Sequence, residues 1–181
     1  MSGRRALLLD RDGTLVADAG YLAEPSGLRL LPGVAAALAR ARDAGWLLIV
    51  VTNQSGVARG LMTEAAVEAV HEALRRRLGR RGVALDGIYV CPHHPELGEP
   101  PLRADCSCRK PRPGLLLRAG REHGLDLGRS FMIGDRERDV EAGRAAGCRT
   151  VLLARTKTTT CSPDHVAPGL AKGVDWILGQ P

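Results

Sequence analysis

"LLLDRDGT" (residues 7–14) is the stretch on which the reading of this chain turns. The apolar run Ala6–Leu9 is too short for a helix and stops abruptly at charge, which predicts a buried strand. Asp10 and Asp12 follow it two residues apart, and Gly13 allows a sharp turn immediately after. Taken alone, a D-x-D step also suits a turn in which aspartates accept backbone hydrogen bonds. The neighbouring segments must decide between the two.

Working outward, four more short β-prone runs appear: Trp46–Val51, Gly87–Cys91, Phe131–Ile133 and Thr150–Leu153. Helical patterns lie between them. "LPGVAAALARARDAG" (31–45) is alanine-rich and closes on Gly45. "TEAAVEAVHEALRRRLG" (63–79) opens with Thr63 as N-cap and aligns Val67, Val70, Leu74 and Leu78 on one face. "PGLLLRAGREHG" (113–124) and "RDVEAGRAAG" (138–147) follow the same grammar. Strands alternating with helices predict an α/β fold: a three-layer, Rossmann-like parallel sheet with helices on both faces. Ligands of such sheets bind outside the carboxyl ends of the strands. The polar tail "RTKTTTCSPDHVAPG" (155–169) reads as a loop ahead of a last helix near Val174–Leu178. No repeat or composition break interrupts residues 1–181, so one domain is expected.

Composition narrows the partners. A formal net charge of +6 favours anionic ligands, yet aromatic residues are only 3% of the chain, which argues against a surface that stacks nucleic-acid bases. Much of the basicity, as in "LRRRLGRR" (74–81), reads as a solvated helix face. No apolar run is long enough to span a bilayer, and "MSGRRALLLDRD" (1–12) is no secretory signal. A cytoplasmic, monomeric protein with no membrane or nucleic-acid partner is expected. Five cysteines in such a chain point to metal binding rather than disulfides, with Cys148 and Cys161 as ordinary thiols.

Three further strand ends favour chemistry over a mere turn. "IVVTNQSG" (49–56) places Thr52 after the second strand, "CRKPRPG" (108–114) supplies Lys110 ahead of a helix, and "FMIGDRERD" (131–139) places Asp135 and Asp139 after the fourth strand. Clustered carboxylates form an oxygen-rich site suited to Mg²⁺. A hydroxyl and a lysine beside them suit a phosphoryl group, and an aspartate there can serve as nucleophile.

A second metal pattern precedes that lysine. "CPHHPELGEPPLRADCSCRKP" (91–111) offers Cys91, His93 or His94, Cys106 and Cys108, a Cys₃His set of the kind that holds structural Zn²⁺. The twelve residues between the ligand pairs hold three prolines and a glycine, so the loop at about 91–108 is irregular and needs the ion for order. Anchoring Cys108 also anchors Arg109 and Lys110.

"DRDGT", "VVTNQSG", "CRKP" and "GDRERD" resemble, in order and spacing, the four motifs of the haloacid dehalogenase (HAD) superfamily over about residues 6 to 155. The resemblance implies a Mg²⁺-dependent phosphatase in which Asp10 is the nucleophile and Asp12 the acid and base. It implies Mg²⁺ held by Asp10, the backbone carbonyl of Asp12 and Asp135, with Thr52 and Lys110 on the phosphoryl oxygens and Asp139 orienting Lys110. The zinc loop and the lack of room for a cap resemble the branch of heptose-bisphosphate and histidinol-phosphate phosphatases, and favour His93 over His94. The long ligand spacer, "DAGY" (18–21) and "TNQSGVARG" (52–60) resemble its heptose side. That likeness implies removal of the 7-phosphate of D-glycero-D-manno-heptose 1,7-bisphosphate, a small phosphorylated sugar. Asp18, Gly20, Tyr21, Thr52, Asn53, Gln54 and Ser55 would then line the substrate pocket. Arg109 would take the distal phosphate, and Arg136 would add charge or lie on the surface. Histidinol-phosphate phosphatase, nucleic-acid 3′-phosphatase and a non-enzymatic zinc module are the alternatives.

Overall fold

The computed structural model describes residues 3–154 and 160–180, so residues 155–159 of the polar tail lie outside the description. Six strands, β1 (Ala6–Leu9), β2 (Leu47–Asn53), β3 (Gly87–Cys91), β4 (Phe131–Gly134), β5 (Arg149–Leu153) and β6 (His165–Ala167), form one sheet in the order β3-β2-β1-β4-β5-β6. Every neighbouring pair is parallel. The connecting helices are α1 (Val34–Asp43), α2 (Glu64–Gly79), α3 (Gly114–His123) and α4 (Glu137–Ala145), and α5 (Leu170–Leu178) follows β6.

Alternation along the strands builds the three expected layers. Leu7 and Leu9 of β1 turn to one face, where Leu38 of α1, Leu74 of α2 and Val174 of α5 join the same core. Ala6 and Leu8 turn to the other, against Leu116 of α3 and Ala142 of α4. The α2 helix starts as its sequence implies, with Thr63 Oγ1 accepting the Ala66 N–H at 3.0 Å.

The last helix starts at Leu170, four residues before Val174, and two larger differences from the expected elements bear on the site and the tail. β2 continues through Thr52 and Asn53, which pair with Val90 and Cys91, so Thr52 lies inside the strand end rather than after it. The tail read as a loop contains β6. This edge strand is three residues long, too short to show a pattern, and among the described residues it pairs with β5 alone. Tertiary contacts hold it: the Asp164 carboxylate accepts from the Thr150 N–H at 2.7 Å and its hydroxyl at 2.9 Å.

The order of strands fixes where a ligand can sit. The chain winds outward from β1 to β3, then crosses to β4 on the other side of β1 and continues to β6. The carboxyl ends of β1 and β4 therefore flank the switch point, where such sheets open a crevice.

Candidate active site

Asp10 extends β1 by one residue, its N–H donating to the Ile133 carbonyl at 2.9 Å, and Asp135 directly follows β4. Asp139 lies in the first turn of α4, with Oδ2 accepting the Arg136 N–H at 3.0 Å. One carboxylate oxygen from each of Asp10, Asp135 and Asp139 falls within 4.8 Å of the others. Lys110 closes the group from the side: Nζ lies 2.9 Å from Asp10 Oδ1 and 2.6 Å from Asp139 Oδ1, and donates to the Val51 carbonyl at 2.8 Å.

These side chains are nearly out of water, so their charges depend on each other. Burial works against the Lys110 ammonium, but Asp10 and Asp139 outweigh it and hold its pKa above the ordinary lysine value. Burial likewise pushes Asp139 up, with Lys110 opposing. Asp135 is pushed up to about 6, first by burial and then by the neighbouring Asp10 charge. Its Oδ1 is buried with no hydrogen-bond partner among the described residues. An orphaned carboxylate oxygen beside a second acid fits a hard divalent cation such as Mg²⁺. Asp139 spends its oxygens on Lys110 and the Arg136 N–H, which leaves Asp10 and Asp135 as the acids open to the ion.

The turn after β1 wraps closely around this group. Gly13 has φ +76°, and a Cβ there would stand 2.3 Å from Asp135 Oδ2. Only glycine permits both that conformation and that approach.

Asp12 lies outside the acid cluster and is held separately. Its carboxylate accepts from Arg11 Nε and Nη2 at 2.9 to 3.2 Å and from Gln54 Nε2 at 2.8 Å. Gln54 also bonds Thr52 Oγ1 at 2.9 Å, tying the end of β2 to the first loop. Arg11 is wholly buried, and its Nη1 meets His71 Nε2 at 3.1 Å. Neither Arg11 nor His71 stands out in the sequence as a site residue. The signal was a histidine on the apolar stripe of α2.

The residues read as pocket lining divide into two groups. Asn53 spends its amide on the backbone of Lys110, donating to its carbonyl at 3.0 Å and accepting its N–H at 3.1 Å. With Gln54 it forms the frame of the site. Asp18 accepts the Gly20 N–H at 2.9 Å, and half-exposed Tyr21 packs so close to Gly56 that a Cβ there would stand 2.8 Å from its ring. Ser55 lies in the same loop as Gly56. Arg136 is more than a surface charge: it bridges Asp18 at 3.0 Å and Asp135 at 3.1 Å. Arg109 donates to the His93 carbonyl at 3.2 Å, which sets it on the cysteine loop.

That loop gathers Cys91, His93, Cys106 and Cys108, whose ligand atoms all lie within 4.8 Å of one another. The contacts Cys91–Cys106 at 3.5 Å, Cys106–Cys108 at 3.2 Å and His93 Nδ1–Cys108 at 3.3 Å are close to the edges of about 3.5–3.8 Å expected of ligands around tetrahedral zinc. The hydrogen bond from Cys91 holds the Cys108 thiol down to about 5, while that bond and burial keep the Cys91 thiol up. Three thiols and one imidazole nitrogen gathered this closely are a donor set that fits Zn²⁺. His94 faces away, its Nε2 against Arg59 at 3.0 Å and its Nδ1 accepting from Glu96 and Leu97. Gly98, at φ +91°, lets the loop press onto the segment after β2, where a Cβ would meet the Ala58 carbonyl at 2.1 Å.

The chain resembles known proteins along most of its length. A family model described as HAD-hydrolase-like matches residues 107–173. The chain is 41% identical over 176 residues to D-glycero-beta-D-manno-heptose-1,7-bisphosphate 7-phosphatase of Yersinia pestis, covering 97% of this chain and 90% of that protein. It is 42% identical over 175 residues to the protein of the same name from Escherichia coli (strain K12), covering 97% and 88%. The crystal structure of D,D-heptose 1,7-bisphosphate phosphatase from B. bronchiseptica, complexed with magnesium and phosphate, superposes with a TM-score of 0.83 at 33% identity, over 96% of this chain and 98% of that one. With the acid cluster at the switch point and the likeness running from end to end, this chain belongs to the HAD-like hydrolase family, in the branch that holds the heptose bisphosphate phosphatases.

Proposed function

We propose that residues 1–181 work as one Mg²⁺-dependent phosphatase domain that removes the 7-phosphate of D-glycero-D-manno-heptose 1,7-bisphosphate in the cytoplasm, through a transient aspartyl-phosphate on Asp10. The observation that carries this reading is the buried Lys110 ammonium between Asp10 and Asp139, beside the orphaned oxygen of Asp135. The substrate is argued from the relatives, whose names specify that sugar.

Asp10 attacks phosphorus, the ester P–O bond breaks, and Asp12 gives its proton to the leaving alkoxide. Water then attacks the phosphorus of the intermediate and passes its proton to Asp12, and the bond from phosphorus to Asp10 breaks to release phosphate. Thr52 and Lys110 hold the equatorial oxygens, where transition-state charge is spread. Asp10, Asp135 and the Asp12 carbonyl would hold Mg²⁺, which when bound offsets the repulsion between a carboxylate and a dianionic phosphate. Asp139 keeps Lys110 charged and aimed. Cys91, His93, Cys106 and Cys108 would hold a structural Zn²⁺ that sets Arg109 and Lys110 at the catalytic edge. Arg109 takes the distal phosphate, which a planar guanidinium matches. Asp18, Gly20, Tyr21 and Ser55 line the sugar, with Asn53 and Gln54 behind them.

Steady-state phosphate release from the two heptose bisphosphate anomers and from histidinol phosphate tests this. One anomer should exceed histidinol phosphate in kcat/KM by about 10²-fold or more. A preference for histidinol phosphate would overturn the substrate.

A further inference from the structure

Among the described residues, Arg11 and Lys110 are the two largest wholly buried side chains. Lys110 belongs to the acid cluster. Arg11 does not, and a guanidinium taken out of water must be repaid by acceptors for its N–H groups. The contacts of Arg11 are few: the Asp12 carboxylate, gripped by Nε and Nη2, and His71 Nε2, 3.1 Å from Nη1.

The geometry sets the state of His71. Facing a guanidinium, which can only donate, Nε2 must accept, so the ring is neutral and its proton sits on Nδ1. The Glu68 carboxylate is 3.7 Å from Nδ1, beyond hydrogen-bond reach, and Nδ1 has no partner among the described residues. His71 thus stands on the apolar stripe of α2 with one hydrogen-bond partner among the described residues, Arg11, and the Glu68 carboxylate farther off at 3.7 Å. A leucine there would pack as well, so packing alone does not account for a wholly buried imidazole.

The far end of the chain of contacts is Asp12. Arg11 and Gln54 between them engage both carboxylate oxygens, which leaves the side chain a single orientation. A proton donor gains rate when its orientation is fixed in advance. We propose that Arg11 and His71 are positioning residues: His71 accepts from Arg11 and fixes the guanidinium, which in turn fixes Asp12 for proton transfer to the leaving group and from water. The proposal builds on the role of Asp12 given above and adds no chemical step to it.

The test compares His71→Leu, His71→Gln and wild type with Mg²⁺ on two simple esters. Glycerol 2-phosphate leaves as an alkoxide that needs a proton, and p-nitrophenyl phosphate leaves as a stable anion that does not. His71→Leu should lower kcat on glycerol 2-phosphate about tenfold with KM within about twofold, while the first-turnover burst of nitrophenolate keeps its rate. His71→Gln restores an acceptor and should recover kcat to within about threefold of wild type. Should His71→Leu fail to fold, Arg11→Met/His71→Leu replaces the whole buried pair by apolar groups and should show the same loss. An unchanged kcat, an equal loss in the burst, or a glutamine variant as slow as the leucine one would overturn the proposal. A wild-type protein inert on every phosphate ester would instead overturn the phosphatase reading itself.

Discussion

Lys110 Nζ stands 2.9 Å from Asp10 Oδ1 at the carboxyl end of the sheet, with the two side chains 0% and 6% exposed. Nothing local brings them together. Asp10 is delivered by β1, whereas Lys110 arrives on the cysteine loop and is pinned by the Asn53 amide through its own backbone. Lys110→Met keeps the bulk and removes the charge, leaving two buried carboxylates without their cation. Stability should fall by about 3–5 kcal/mol in urea unfolding, and kcat by about 10²–10³-fold. A stable variant with near-normal turnover would remove Lys110 from the site.

The Gly13 turn separates strain from function. Gly13→Ala meets both the left-handed backbone and Asp135 at 2.3 Å, whereas Gly82, at φ +74°, has no atom within 4 Å of the same Cβ. Gly82→Ala should cost about 1–2 kcal/mol of stability and leave turnover intact. Gly13→Ala should weaken activation by Mg²⁺ at least about tenfold, a displacement of roughly 1.4 kcal/mol at one ligand, read by titrating kcat against the ion. Equal Mg²⁺ dependence in both variants would contradict the cradle.

His71 gives the folded state a pH dependence of known sign. Burial, then the facing Arg11 charge, with Arg75 adding and Glu68 opposing, depresses it to about 4 from an ordinary 6.5. Between those values the unfolded chain binds a proton that the folded chain does not, so stability is full above about 6.5 and is lost as pH falls toward about 4. The loss attributable to this ring is up to about 3 kcal/mol at 1.36 kcal/mol per unit. His71→Gln should flatten the stability curve over that window, measured as urea midpoints at pH 7 and 4.5; parallel curves would refute the assignment.

Zinc should be present at about one ion per chain, held by Cys91, His93, Cys106 and Cys108. Cys106→Ser should cut the measured metal content to less than about half and lower turnover as well, because Cys108 is two positions from Lys110. His94→Ala, which removes a ring turned toward Arg59, should leave zinc content unchanged. Loss of zinc from the His94 variant and not from the Cys106 variant would reverse the ligand assignment.

Much of this architecture was readable from residue order. Short apolar runs followed by Asp10, Thr52 and Asp135 announce strands with candidate site residues at their carboxyl ends, and Thr63 announces the start of α2. What escaped reading shares one cause: it is decided by contacts between distant segments. β6 is a three-residue edge strand held by Asp164 against Thr150, and no pattern of its own marks it. The resemblance sets Asn53 and Gln54 in the substrate pocket, yet their amides are consumed by Lys110 and Asp12. Arg11, between two aspartates, reads as a solvated charge until the fold closes over it.

The proposed turnover passes through a phosphorylated Asp10, and that intermediate can be trapped. Enzyme turning over substrate with Mg²⁺ is quenched in acid, reduced with borohydride, which converts an acyl phosphate to the alcohol, and digested for mass spectrometry. The peptide spanning "LLLDRDGT" should carry homoserine in place of Asp10, and the Asp10→Asn protein should carry none. Full turnover with position 10 unmodified, or with the label on another carboxylate, would contradict it.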